Sequence, residues 1–214
     1  MDLRLFRRKP FTAAVLGAVV VFVALNVTLL LSTLYLQHAR GMSPAVAGAV
    51  TLPMAIAATV CAPLSGFLVG RVGPRVPLLL AGGCTTLGGL CLVALDDRTG
   101  VLVLLLAYLL LGAGLGFANA PITNTAVSGL PADRAGVAGG ITSTARQVGA
   151  ALGVALAGGL VADAAPARLA HASRPGWILV AGCGLLLLLV ARVSPAAGKR
   201  GELVPDRVRE EQRR

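Results

Sequence analysis

Four stretches of this chain, residues 10–37, 41–70, 76–95 and 99–132, contain no Asp, Glu, Lys or Arg. A helix needs about 20 consecutive apolar residues to cross a hydrocarbon core roughly 30 Å thick, and each stretch is long enough. Two further segments extend the pattern. Residues 135–161 are apolar apart from Arg146 and Gln147, and residues 176–191 are flanked by Trp177 and Arg192, placed as interfacial anchors. None of these runs alternates like a barrel strand, and all are too long for one. Backbone polar groups in lipid must be satisfied within the segment, so helices are expected. The predicted helices are 11–37, 45–70, 76–95, 101–128, 135–161 and 176–192. The fold class expected is therefore an all-α membrane protein, a six-helix bundle.

Composition agrees. Only 13% of the 214 residues are charged, against about a quarter in soluble domains, and the mean hydropathy is +0.83. No soluble domain is expected: residues 1–10 read as an N-terminal tail, 11–192 as the bundle, and 193–214 as a solvated, disordered C-terminal tail. Arg4, Arg7, Arg8 and Lys9 ahead of the first apolar run resemble the start of a signal peptide. That run is too long for a signal sequence and has no small-residue cleavage site, so a retained first helix is predicted.

Loop charge sets the expected orientation. With six spans and the N-terminus inside, fourteen basic residues fall on the cytoplasmic side, including Arg71, Arg75 and Arg134, and four fall outside: Arg40, Arg98, Arg168 and Arg174. This is the bias of the positive-inside rule. It predicts a multi-pass protein of the cell membrane with both termini cytoplasmic. The net charge of +10 then reflects topology and attraction to the anionic lipid bilayer. No nucleic-acid partner is expected, because no basic stretch is interleaved with aromatics. Cys61, Cys84, Cys91 and Cys183 all fall within spans and form neither a disulfide framework nor a metal spacing. No metal and no cofactor are expected.

Polar residues and glycines are unevenly placed. Asn26, Thr28, Ser32 and Thr33 mark the first span. Asn119, Thr123, Asn124 and Thr125 mark the fourth, and Thr142, Ser143, Thr144, Arg146 and Gln147 the fifth. Intramembrane polar groups face protein or a wet cavity, so these three helices are expected to border an interior and the sixth to face lipid. Asn26, Asn119, Thr123, Arg146 and Gln147 are the candidate substrate-cavity residues. A charge near the bilayer centre costs about 2.5–3.5 kcal/mol on insertion scales. Arg146 therefore calls for a cavity or inter-half role, or else for snorkelling or a structural partner. Gly112, Gly116, Gly149 and Gly153 have the spacing that lets helix backbones approach. Gly112-x-Gly114-x-Gly116 follows no strand, so helix packing is favoured over nucleotide binding. Pro53, Pro63 and Pro121 are placed to bend the second and fourth helices, or to be accommodated without consequence.

The turn after the second helix reads Gly66-Phe67-Leu68-Val69-Gly70-Arg71-Val72-Gly73-Pro74-Arg75. It resembles the signature loop of the major facilitator superfamily, G-x-x-x-D-R-x-G-R-R, matching at Gly66, Arg71, Gly73 and Arg75. Gly70 stands at the Asp position, and Pro74 replaces a basic residue. Further blocks appear in the family's order. Among them are Ser43-Pro44-Ala45-Val46-Ala47-Gly48, Leu130-Pro131-Ala132-Asp133-Arg134-Ala135-Gly136 and Thr144-Ala145-Arg146-Gln147-Val148-Gly149. Over about residues 3–192 the chain resembles the last six helices of the fourteen-helix drug:proton antiporter branch.

That resemblance implies one half of a major-facilitator fold, a 3+3 inverted repeat, and efflux of small, amphipathic drug-like molecules. It implies a C-terminal half, truncated or needing an N-terminal half as partner. The alternatives are a stand-alone six-helix protein acting as a homodimeric facilitator with a second copy, or a non-transporting remnant. No enzyme is expected: G-x-S-x-G is absent, no His lies in a predicted span, and no paired intramembrane aspartates occur. The six predicted spans also carry no Asp or Glu, so a proton-relay carboxylate, if used, is expected to come from elsewhere.

Overall fold

The structure, a computed structural model, describes residues 9–95, 99–127, 132–162, 164–165 and 168–193. The tails of 1–8 and 194–214 lie outside the described residues, as do Arg98, Leu130 and Pro131. Six helices are long and apolar enough to cross a membrane, and no strand occurs among the described residues. The protein is a multi-pass membrane protein.

Helix α1 (Lys9–Leu34) continues into a π-turn (Tyr35–Ala39). The first apolar helix therefore reaches past the predicted end at 37 and includes His38, which is exposed at its tip. Gly41, at φ +60°, then reverses the chain. Helix α2 (Pro44–Val72) starts where Ser43 Oγ accepts from the Val46 N–H at 3.4 Å, with Pro44 in the first turn where its missing N–H costs nothing. It ends at Gly73, whose φ of +82° suits glycine. Pro53 and Pro63 lie inside α2, and Pro121 lies inside α4 (Val101–Val127); both helices run unbroken through them. Helix α3 spans Arg75–Val93, and α5 spans Ala132–Val161.

The last span departs most from expectation. The loop predicted at 162–175 contains a short helix, α6 (Leu169–Ala172), and α7 (Arg174–Val193) starts two residues early. Trp177, expected as an interfacial anchor, is fully buried, and its Nε1 donates to Ser173 Oγ at 3.2 Å. The indole N–H thus has a protein partner and needs no headgroup. Nor is α7 simply a lipid-facing helix. It packs on α3 and α1, and only one side carries outward apolar residues such as Ile178, Leu185 and Leu189.

The main helix pairs are α2 with α4, α1 with α5, α3 with α7, α3 with α4, and α1 with α7. Exchanging the first three spans for the last three (α1 for α4, α2 for α5, α3 for α7) turns this set into itself. Three spans per unit is odd, so the second unit is inverted in the membrane relative to the first. This is the 3+3 inverted repeat. The central pair is α1 and α4, each with 50% of its most apolar stretch buried, whereas α2 and α5 are the most open at 17% and 28%.

Lipid tails give no hydrophobic drive for helices to associate, so close packing and hydrogen bonds must hold the bundle. A methyl at Gly149 would sit 2.5 Å from Val19 O, and one at Gly153 would sit 2.7 Å from Val23 O, so α5 lies backbone to backbone on α1. The equivalent seam sets Gly112 against Met54 and Gly116 against Ala58 and Cys61, joining α4 to α2. Across that seam the fully buried Ser65 Oγ donates to Phe117 O at 2.8 Å.

Candidate substrate-binding face

Arg146 sits at the middle of α5, roughly 21 Å from its first residue at about 1.5 Å per residue. Its Nη2 donates to Thr123 Oγ1 on α4 at 2.9 Å, and its guanidinium carbon lies 5.7 Å from the centre of the Phe22 ring on α1. One cation thus touches three helices.

The other candidate residues fall around it by helical spacing. Asn26 is one turn from Phe22, and Asn119 is one turn from Thr123. Each amide is tied to its own helix: Asn26 Nδ2 donates to Phe22 O at 2.9 Å, and Asn119 Nδ2 to Leu115 O at 3.3 Å. Thr123 and Gln147 are exposed, and Asn26, Asn119 and Arg146 are half-buried. The cluster therefore opens outward from the bundle. Inside, α1, α2, α3 and α4 enclose a cavity of about 20 Å³ lined by Thr28, Met54, Thr85 and Leu111 among others. That is room for a single water, far below the roughly 300 Å³ or more of a pocket for a drug-sized ligand.

The loop motif lies at one end of the bundle. Gly66 and Gly70, one turn apart on α2, face open space. Arg71 stacks on Phe67 with its guanidinium carbon 4.2 Å from the ring centre, and Arg75 is exposed as the first residue of α3. Gly73 closes α2 by donating its N–H to Val69 O at 3.2 Å. At the other end Arg40 Nη1 donates to Tyr35 OH at 3.2 Å and to Thr99 O at 2.9 Å, pinning the π-turn to the connection before α4. No cluster of three His, Cys, Asp or Glu that could hold a metal occurs among the described residues.

Sequence reasoning missed Phe22, the aromatic partner of Arg146. The available signal was its position four residues before Asn26, on the same helical face. The Arg40 clamp was also missed, and nothing local in the sequence points from Arg40 to Thr99.

Comparison with known proteins places this architecture. Residues 2–154 match the family model for the Major Facilitator Superfamily. The multidrug resistance protein Stp of Mycobacterium tuberculosis (strain ATCC 25618 / H37Rv) is 40% identical over 162 residues, covering 76% of this chain and 30% of that protein. The tetracenomycin C resistance and export protein of Streptomyces glaucescens is 36% identical over 179 residues, covering 82% of this chain and 33% of that protein. The quinolone resistance protein NorB of Staphylococcus aureus (strain JH9) is 29% identical over 165 residues, covering 76% and 35%. The chain thus spans about a third of the length of these relatives. The match over most of the chain, the six spans and their inverted pairing converge: the chain belongs to the Major Facilitator Superfamily.

Proposed function

We propose that this chain is the C-terminal six-helix half of a small-molecule exporter and works when an N-terminal six-helix half packs against it. The observation that carries this reading is the position of the Arg146 cluster. Its polar groups open outward from α1, α4 and α5, while the interior cavity of about 20 Å³ admits only water. A drug-sized chamber then needs a second wall. The openness of α2 and α5 supports a helical partner there, since small residues on such faces let another backbone approach. The relatives are proteins of multidrug resistance, of tetracenomycin C resistance and export, and of quinolone resistance. They favour amphipathic, aromatic cargo for this chain too.

In this reading the protein lies in the cell membrane with both termini cytoplasmic, as the distribution of basic residues favours, and performs transport without enzymatic chemistry. Proton coupling would draw on carboxylates of the other half, because the six spans carry none. The Gly66-Arg71-Gly73-Arg75 turn would sit on the cytoplasmic face, and Gly112, Gly116, Gly149 and Gly153 would hold the half together. The test is reconstitution in liposomes with and without a candidate N-terminal half, measuring dye or drug efflux under a proton gradient. Efflux is expected only with both halves. Efflux by this chain alone, with a cross-linked dimer, would replace the reading with a homodimeric facilitator. No efflux with any partner would leave a non-transporting remnant.

A further inference from the structure

We infer that Arg146 is a carboxylate-binding site that the chain leaves unfilled, taking either the carboxylate of an aromatic substrate or an intramembrane carboxylate of the other half. The inference rests on the reading above that the face shared by α1, α4 and α5 meets substrate or partner.

The argument begins with charge. A guanidinium on a membrane-spanning helix is costly unless paired or wet, yet Arg146 has no ion pair among the described residues, and all nine acidic residues of the chain lie outside the membrane stretches. Its recorded partners are neutral: the Thr123 hydroxyl and the Phe22 ring. Asn26, Asn119 and Gln147 nearby add polarity but no negative charge. The +1 charge is therefore uncompensated among the described residues.

Geometry names what would compensate it. A guanidinium carries five N–H donors in a planar fork that fits a carboxylate two bonds at a time. Among the described residues only Nη2 is engaged, with Thr123, so the remaining donors face no described acceptor and can take a planar oxyanion. Arg146 cannot lose its proton to relieve the charge. Phe22 lies beside the same guanidinium, so an arriving aromatic acid would find an offset-stacking surface next to its counter-charge. Thr123 and the half-buried Asn26 and Asn119 leave the approach open from outside the bundle. A cationic drug would meet repulsion at the same point.

The test uses the purified full chain in lipid nanodiscs, titrated with salicylate and with its neutral amide, salicylamide, both followed by their own fluorescence. Salicylate is expected to bind at least about tenfold more tightly, the equivalent of one charge-assisted hydrogen bond. Arg146→Gln should abolish the preference, and Arg146→Lys should keep the charge and lose part of it. Circular dichroism and thermal unfolding check that the variants fold. Should Arg146→Gln fail to fold, the two-ligand comparison on the unsubstituted chain still decides.

Repeating the titration on the chain assembled with an N-terminal half separates the two sources. A retained preference, with salicylate inhibiting efflux, assigns the site to substrate. Loss of the preference on assembly, with Arg146→Gln weakening co-purification, assigns it to a partner carboxylate. Equal binding of the two ligands by the chain alone, with Arg146→Gln leaving assembly and efflux unchanged, would overturn the site and leave the transport reading standing. A salicylate preference without efflux from any assembly would overturn transport and leave the site standing.

Discussion

Helix α5 carries two glycine pairs of identical spacing, and the bundle treats them oppositely. Gly149 and Gly153 are pressed against the α1 backbone, whereas Gly136 and Gly140 have nothing within 4 Å of where a methyl would go. The other unit repeats the contrast between helices: Gly112 and Gly116 of α4 are closed against α2, while Gly66 and Gly70 of α2 are open. A small-x-x-x-small spacing therefore shows that a close approach is available. Which pair is used within this half, and which is left for lipid or another helix, depends on the direction each face takes in the bundle.

The largest expected effect comes from breaking the closed seams. Gly112→Ala and Gly149→Ala should each destabilise the folded chain by about 1–3 kcal/mol, because the added methyl meets backbone that must shift. Unfolding in mixed detergent micelles would measure it, and wild-type stability would show that the seams are looser than drawn. Next is a glycine kept for conformation instead of space. Gly73→Ala places a side chain at φ +82° and should cost roughly 1–3 kcal/mol in the same assay. Ser65→Ala removes the buried hydrogen bond across the α2–α4 seam and should cost about 0.6–2 kcal/mol.

The smallest change in stability is expected at the open pair, and it has the opposite sign. Gly136→Ala and Gly140→Ala should stabilise the isolated chain by up to about 1 kcal/mol, since alanine is the better helix former and nothing obstructs it. Gly140→Leu sharpens the comparison further. It should leave the isolated chain folded and reduce co-purification with an N-terminal half. Undiminished assembly would show that this face is covered by lipid.

Several features were readable in order along the chain. The long apolar runs marked six spans because crossing a bilayer demands length and apolarity, both local properties. Their ends shifted where local signals compete: α5 begins at Ala132, three residues before the predicted start, and the first helix runs on through His38. Trp177 misled for a physical reason. A Trp near the end of an apolar run suits a headgroup region, but this one found its hydrogen bond in Ser173 and its burial in the apolar core of the bundle. The polarity of the first, fourth and fifth spans marked Asn26, Thr123 and Arg146 separately. That Arg146 joins Thr123 while resting on Phe22 was not visible, because those residues are 23 and 124 positions away along the chain.

What the sequence determined by itself was the class: six membrane helices, the turn at Gly73-Pro74, and a lone intramembrane cation with no acidic residue in the spans. These follow from hydropathy and from backbone or charge costs that act within one segment. Only the tertiary structure decided the pairing of α1 with α5 and α2 with α4, the burial of Trp177, and the outward opening of the Arg146 cluster. In lipid every helix face is similarly apolar, so hydropathy cannot rank the faces. The ranking comes from shape, through the places where glycine lets one backbone lie on another.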